Sequence, residues 1–196
     1  MGDRIFNFWG PCEPVPNQKI SPTKPFDRVN LGHTELQYIP ATGHAPHQSI
    51  LYDQKESIVF SADALGILDP KSNSILPTSS PPSFDFEKAI DDIRTIEKIK
   101  PSLACLAHFG EVVPDARYFE SVVEHYESWK DTISSVTQKE GIGPCGSESS
   151  DEIFSLLLER YPEYSDLSDD LNEQARRIDI SGIKEYLAKK RNQEAS

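Results

Sequence analysis

Three metal-capable side chains each stand where an apolar, strand-like run gives way to a turn. They are His44, Asp63 and His108, and the runs that precede them cover residues 36–39, 57–60 and 103–106. Imidazole and carboxylate ligands that leave adjacent strand ends can converge on one divalent ion. The pattern therefore points to metal-dependent hydrolysis as the chemistry of this site.

Each of the three also has an ordinary structural interpretation. His44 could stabilise its own loop, Asp63 could cap the turn after its strand, and His108 could be a hydrogen-bonded core histidine at a strand end. His47, three residues after His44, is expected to contact the substrate or to orient a ligand rather than to bind metal.

The other two histidines are predicted to have no part in this chemistry. His33 lies in a predicted turn, and His125 is predicted to be a solvated histidine on a helix. The apolar stripe of that helix consists of Tyr118, Val122, Tyr126 and Trp129. A stripe at helical spacing predicts packing rather than a cofactor site.

The elements that would position these side chains form a layered α/β arrangement. Hairpins are predicted over 27–39 and 49–60, and a helix from Ser83 to the residue before Pro101. A buried strand over 103–106 and a helix from Pro114 follow. Beyond a break at 141–144, three shorter helices are predicted over 151–161, 169–178 and 181–190. The Pro- and Ser-rich stretch 66–84 predicts a loop that borders the site.

Composition excludes several classes of partner. The chain has 32 acidic and 20 basic residues and a net charge of −12, so it should repel nucleic acid. It has neither an apolar run of membrane-spanning length nor a signal-peptide pattern at its start, which predicts a cytoplasmic protein without a membrane partner. Three widely spaced cysteines form no C-x-x-C pair and predict no disulfide framework.

Three short motifs, in order, resemble those of the metallo-β-lactamase-fold hydrolases, and most of all their glyoxalase II-like branch. They are T-G-H-A-P-H at 42–47, F-S-A-D-A-L at 60–65 and A-H-F-G at 107–110. The resemblance implies that His44 binds a first metal, that Asp63 bridges two metals, and that His108 binds the second. A complete site would hold two zinc ions, with iron or manganese as alternatives. Thr42 and Ala62 depart from the family pattern, which has Pro and Gly there.

The resemblance also implies an αββα sandwich, of which this chain would be mainly the second half with C-terminal helices. The family signature H-x-H-x-D-H, which supplies the other ligands and the Asp that orients the attacking water, is absent from the sequence. We therefore predict a partial metallo-β-lactamase-like domain over 1–135 and a helical extension over 136–196. Three ligands alone are expected to hold a single ion weakly.

Half of a two-sheet sandwich should expose an apolar sheet face. Either the C-terminal helices cover that face, or it pairs with a second copy of the chain or with a separately encoded N-terminal half.

Three functions follow from the sequence. The first is a hydrolase of a small-molecule thioester, lactone or related ester, which uses metal-activated water and is active only when complete. The others are a non-catalytic remnant that binds a partner or ligand, and a mononuclear metal-binding protein.

Overall fold

Strands and helices follow one another largely as the sequence predicts. The computed structural model describes residues 13–69, 75–108, 110–140, 148–162, 164 and 170–194. The strands are β1 (Arg28–Asn30), β2 (Glu35–Pro40), β3 (Ser49–Asp53), β4 (Ile58–Phe60), β5 (Ile67–Leu68), β6 (Ile75–Leu76), β7 (Leu103–Cys105) and β8 (Glu111–Val112). The helices are α1 (Phe86–Ile99), α2 (Ala116–Glu140), α3 (Glu148–Arg160) and α4 (Asp170–Glu194). The predicted mixed α/β fold class is confirmed.

Six strands form one sheet in the order β1-β2-β3-β4-β7-β8. Neighbours are antiparallel except for β4 and β7, which pair in parallel across a connection that includes α1. A parallel pair requires such a crossover, because its second strand must start again at the same edge. β2 runs in the same direction as β4, since both are antiparallel to β3. The carboxyl ends of β2, β4 and β7 therefore meet at one edge of the sheet.

One face of this sheet forms part of the hydrophobic core. Ile39 and Ile50 are paired across β2 and β3, and Val59 and Ala104 are paired across β4 and β7. All four are buried, and they share one core cluster with the apolar residues of α1. Helix α1 begins after Asp85, whose side chain accepts a hydrogen bond from the Lys88 N–H as an N-cap.

The opposite face of the sheet is apolar but open. Tyr38, Leu51, Phe60 and Cys105 line up across β2, β3, β4 and β7. Phe60 is 42% exposed. Within the described part of the chain, none of these four side chains belongs to the core cluster, which the helices share. The described helices therefore pack with the other face and leave this one without a second layer.

Among its described residues, the C-terminal segment has two helices instead of the predicted three. Helix α4 runs unbroken from Asp170 to Glu194, so the predicted break near residue 180 is wrong. Gly182 lies within α4, where an added Cβ would come 1.4 Å from the main-chain oxygen of Ser79. This glycine permits a close approach between a helix and a buried segment, and it does not end the helix.

His125 is buried, so the prediction of a solvated helix histidine is wrong. It is 9% exposed, and its Nδ1 lies 2.7 Å from the main-chain oxygen of Ile75 and 2.7 Å from the Tyr164 hydroxyl. Helix α2 contacts α1, α3, α4 and β6, so several of its sides are covered. The apolar stripe predicted one packed side of this helix, whereas the tertiary structure covers others as well.

The predicted loop over 66–84 contains a two-stranded sheet, formed by β5 and β6. Residues 70–74 of this stretch lie outside the described part of the chain. The division of the chain between residues 135 and 136 stays a prediction, and α2 continues across that point. None of the described helices combines the length and the apolar character that crossing a bilayer requires.

Candidate metal centre

Asp63 lies between two imidazole rings at the sheet edge. Its Oδ1 is 3.0 Å from His108 Nε2, and its Oδ2 is 3.9 Å from His44 Nε2. The side chains of His44, Asp63 and His108 are 19%, 23% and 54% exposed, respectively. The structure thus brings together the three residues that the sequence singled out, with one carboxylate oxygen turned toward each ring.

The donor atoms suit a divalent ion in type and nearly in spacing. Two donors bound to one zinc ion at about 2.1 Å, in tetrahedral geometry, lie about 3.4 Å apart. The two separations seen here, 3.0 Å and 3.9 Å, bracket that value. Across the described ranges, no three His, Cys, Asp or Glu side chains already converge as a ready ligand group. Side-chain movements would therefore be needed to admit an ion.

The loop before His44 is clamped onto helix α1. The N–H of Gly43 donates to Asp92 Oδ2 at 2.7 Å, and the carbonyl of Gly43 accepts from the N–H of Asp85 at 2.8 Å. A Cβ on Gly43 would lie 2.3 Å from main-chain atoms of Ala89. Only glycine allows the loop to approach the helix this closely.

The contact between the His44 loop and α1 partly desolvates the Asp92 carboxyl. Burial raises the pKa of this carboxyl to about 6, although the N–H groups of Gly43 and Thr42 donate to it and oppose that rise. The Thr42 N–H lowers this pKa as well, a contribution that Pro at position 42 could not make. Asp92 therefore helps to hold the segment that presents His44.

Asp63 lies in a short 3-10 helix, Ala62–Leu65, directly after β4. Ala62 has φ +46°, in the left-handed region where glycine is favoured. The second departure from the family pattern thus falls at a position with backbone strain. The main-chain oxygen of Asp63 accepts a 2.7 Å hydrogen bond from Thr78 Oγ1, which fixes the turn from the other side.

His108 follows β7 on a more open loop. Its Nε2–H donates to Asp63 Oδ1, and the N–H of Leu106 donates across the turn to the carbonyl of Gly110 at 3.1 Å. Gly110 has φ +79°, and an added Cβ there would meet only Leu68, at 3.9 Å. This loop is therefore set by turn geometry and not by a close approach to a helix.

A cavity of about 600 Å³ opens beside the site. His44, Asp63 and His47 line it, together with polar groups from the strand edge and the 80–83 segment: Tyr38, Gln48, Ser49, Ser80 and Ser83. His47 thus lies where a bound small molecule could touch it, in the same cavity wall as His44 and Asp63. The predicted 66–84 loop does border the site, through its last residues.

Three further residues support the site and were not predicted from the sequence: Thr78, Asp92 and Asp179. A signal for Asp92 existed, since it falls three residues after Ala89 and four before Ile96, on the buried side of α1. Asp179 is 8% exposed, and burial raises its pKa to about 7 although the Ser79 N–H donates to it. Thr78 has no such signal, because nothing local distinguishes it within a Pro- and Ser-rich stretch.

Two curated relatives are similar to this chain in sequence. A probable metallo-hydrolase of Bacillus subtilis strain 168, YybB, is 25% identical over 121 residues, which are 58% of this chain and 54% of that protein. The metallo-beta-lactamase fold-containing protein ST1585 of Sulfurisphaera tokodaii is 24% identical over 115 residues, covering 58% of this chain and 42% of its own. The chain spans about half the length of the curated relatives that it matches.

Solved structures share the fold and match almost all of this chain. The metallo-beta-lactamase family protein TTHA1429 of Thermus thermophilus gives a TM-score of 0.60 at 16% identity, covering 98% of this chain and 58% of that one. The ST1585 structure gives 0.58 at 20% identity, covering 94% and 59%. The model of the metallo-beta-lactamase superfamily matches residues 2–108, more than half of the sequence. This chain belongs to the metallo-beta-lactamase superfamily.

Proposed function

We propose that this chain carries part of the centre of a metal-dependent hydrolase, which cleaves a thioester, a lactone or a related small-molecule ester. The observation that carries the proposal is the Asp63 carboxylate, which turns one oxygen toward His108 and the other toward His44. The cavity beside it has room for a small-molecule substrate. Superfamily membership and a relative named as a probable metallo-hydrolase support the same reaction class.

In this proposal His44 and His108 hold metal through Nε2, and Asp63 holds it through its carboxylate. Zinc is the first candidate, and iron and manganese use the same donors. A divalent ion bound there supplies a water of lowered pKa and polarises the scissile carbonyl. His47 lies at the cavity wall, where it can donate a hydrogen bond to the substrate and hold the ester near the metal ligands.

The metal content of the purified protein is the first measurement that separates this function from a non-catalytic binding protein. Protein purified without a chelating tag is analysed by inductively coupled plasma mass spectrometry, and thioester and lactone hydrolysis is assayed in parallel. We expect bound metal in the wild type and loss of it in Asp63→Ala. The matched control is His33→Ala, which removes an exposed histidine from the β1–β2 turn and should leave the metal in place.

Metal-free wild-type protein would contradict metal binding by His44, Asp63 and His108. It would favour the alternative, a non-catalytic protein that binds a partner or a ligand. One equivalent of metal, with no hydrolysis even after a polypeptide carrying H-x-H-x-D-H is added, would instead favour a mononuclear metal-binding protein. Loss of metal in His33→Ala as well would mean that general destabilisation, and not a ligand, explains the effect of Asp63→Ala.

We further propose that the open sheet face receives the remaining ligands. Three donors cannot fill the coordination of two metals, and the sequence contains no H-x-H-x-D-H. The open face presents Tyr38, Leu51 and Phe60, an apolar surface that a second sheet would cover at about 10 Å. The occupant we propose is a second polypeptide that carries H-x-H-x-D-H, since this chain covers only 58% of the TTHA1429 structure.

An upstream or overlapping reading frame that encodes H-x-H-x-D-H supplies the probe for this partner. Co-expression of that polypeptide with this chain should give a one-to-one complex in analytical ultracentrifugation. Phe60→Glu, on the open face, should prevent the complex, whereas Val113→Glu changes an apolar residue that is already 78% exposed and should not. A stable monomer in the presence of that polypeptide, or a dimer of this chain alone, would contradict this assignment.

A further inference from the structure

The segment 77–80, buried at its first three residues, connects the metal-ligand candidates to the C-terminal helices. Thr78 and Ser79 are 3% and 0% exposed. We propose that Thr78 is a positioning residue that sets the orientation of both His44 and Asp63, and that α2 and α4 hold it in place. The effect of Thr78 on metal binding rests on the function proposed above. The hydrogen bonds of Thr78 themselves do not require a metal.

Thr78 contacts two of the three candidate ligands through different atoms. Its Oγ1 donates to the main-chain oxygen of Asp63 at 2.7 Å. Its main-chain oxygen lies 3.4 Å from His44 Nδ1, which donates to it. In the neutral ring that bond requires the tautomer with hydrogen on Nδ1, so Nε2, on the side of Asp63, is the nitrogen that keeps a lone pair. A hydrogen bond on one imidazole nitrogen thereby selects the other as the metal donor.

Helix α2 holds Thr78 through a buried hydroxyl. The Thr78 N–H donates to the Tyr126 hydroxyl at 3.0 Å, and Tyr126 is 1% exposed. A buried main-chain N–H outside regular secondary structure needs such a partner, because leaving it unpaired costs about 1–3 kcal/mol. The Tyr126 hydroxyl therefore has a specific task that the apolar stripe of α2 does not reveal.

Helix α4 holds the next residue in the same way. The Ser79 N–H donates to Asp179 Oδ1 at 2.7 Å, and Ser79 Oγ donates to the main-chain oxygen of Asp179 at 2.8 Å. Gly182, one turn later in α4, allows the helix to lie against the Ser79 carbonyl. Segment 77–80 is thus fixed from behind by two helices beyond residue 108, where the superfamily match ends. The C-terminal helices are therefore part of the support of the site.

The test compares variants of Thr78 with a matched buried threonine. Thr78→Val removes the hydroxyl at nearly constant volume, and Thr78→Ser keeps it. Thr137→Val is the control, because Thr137 is also buried and its Oγ1 donates to a main-chain oxygen, but within α2. Zinc affinity is measured by calorimetry, and the side-chain nitrogen shifts of His44 are measured by NMR in metal-free protein.

We expect Thr78→Val to weaken zinc binding about 10- to 100-fold, while Thr78→Ser and Thr137→Val stay near the wild-type value. In metal-free wild type, the His44 shifts should report hydrogen on Nδ1, and Thr78→Val, which keeps the main-chain oxygen, should preserve that state. Unchanged zinc affinity in folded Thr78→Val would overturn the proposal, and so would a wild-type His44 without hydrogen on Nδ1. Because the NMR readout needs no metal, it distinguishes failure of the positioning role from failure of the proposed hydrolase function.

Discussion

The loops that present His44 and His108 are built in opposite ways. The His44 side chain is 19% exposed, and its loop is bound to α1 through Gly43, Asp92 and Asp85. The His108 side chain is 54% exposed, and the bond that the structure gives its ring is to Asp63 itself. One loop is fixed by the core of the molecule, whereas the other is fixed by its own turn.

This difference suggests a division of tasks between the two histidines. A ligand on a clamped loop keeps its orientation before an ion arrives, which lowers the entropy lost on binding. A ligand on an open turn can move toward the ion and correct the spacing. The separations from Asp63, 3.0 Å to His108 and 3.9 Å to His44, both differ from about 3.4 Å, and the open loop makes His108 the ring that is freer to adjust.

Gly43→Ala, on the loop that is bound to α1, should cause the largest loss of unfolding free energy. The new Cβ would lie 2.3 Å from main-chain atoms of Ala89, which cannot move without displacing α1. We expect a loss of about 3 kcal/mol or more in the free energy of unfolding in urea. Gly110→Ala, on the open loop, has free space and only its positive φ to overcome, and should cost about 1 kcal/mol. Equal losses would contradict the contrast between the loops.

Asp92→Asn tests the clamp through pH. The pKa of Asp92 is raised by burial from 3.8 to about 6, so the folded state binds more protons than the unfolded state between these values. The stability that protonated Asp92 contributes is complete below about pH 4 and is lost as the pH rises through about 6. The difference in unfolding free energy, Asp92→Asn minus wild type, should therefore rise by roughly 2 kcal/mol from about pH 4 to about pH 8. The exposed neighbour Asp91 provides the control, and a flat difference for Asp92→Asn would show that the carboxyl is not desolvated.

His44→Ala and His108→Ala should separate stability from metal binding. Both variants should bind less metal in the assay described above. Only His44→Ala should also lower the unfolding free energy, by about 1 kcal/mol, because it removes the bond to the Thr78 carbonyl. His108→Ala should stay within about 0.5 kcal/mol of the wild type in thermal denaturation. A larger loss for His108→Ala would mean that its loop is also fixed by the fold.

Ala62→Gly, next to the candidate ligand Asp63, should have the smallest effect on the free energy of unfolding. The positive φ of Ala62 costs more for alanine than for glycine, and the extra chain entropy of glycine offsets part of the gain. We expect a net stabilisation of at most about 1 kcal/mol, measured by the midpoint of urea unfolding. Destabilisation would show that the Ala62 methyl group packs usefully at the cavity wall.

The fold could be predicted to the extent that its signals are local. The hairpins, α1 and the strand before His108 follow from alternation, helical spacing and the Pro101 stop. The single helix α4 and the buried His125 were missed. Both depend on contacts with residues far away in sequence, Gly182 with Ser79 and His125 with Ile75 and Tyr164.

The sequence by itself determined which side chains stand at strand ends, namely His44, Asp63 and His108, because residue type and strand pattern are both local. Only the tertiary structure decided how far apart they lie and what holds them. Thr78 reaches Asp63 across 15 residues, and Asp179 reaches Ser79 across 100. Such partners are selected by the shape of the packed chain and the need to pair buried polar groups, which no local pattern encodes.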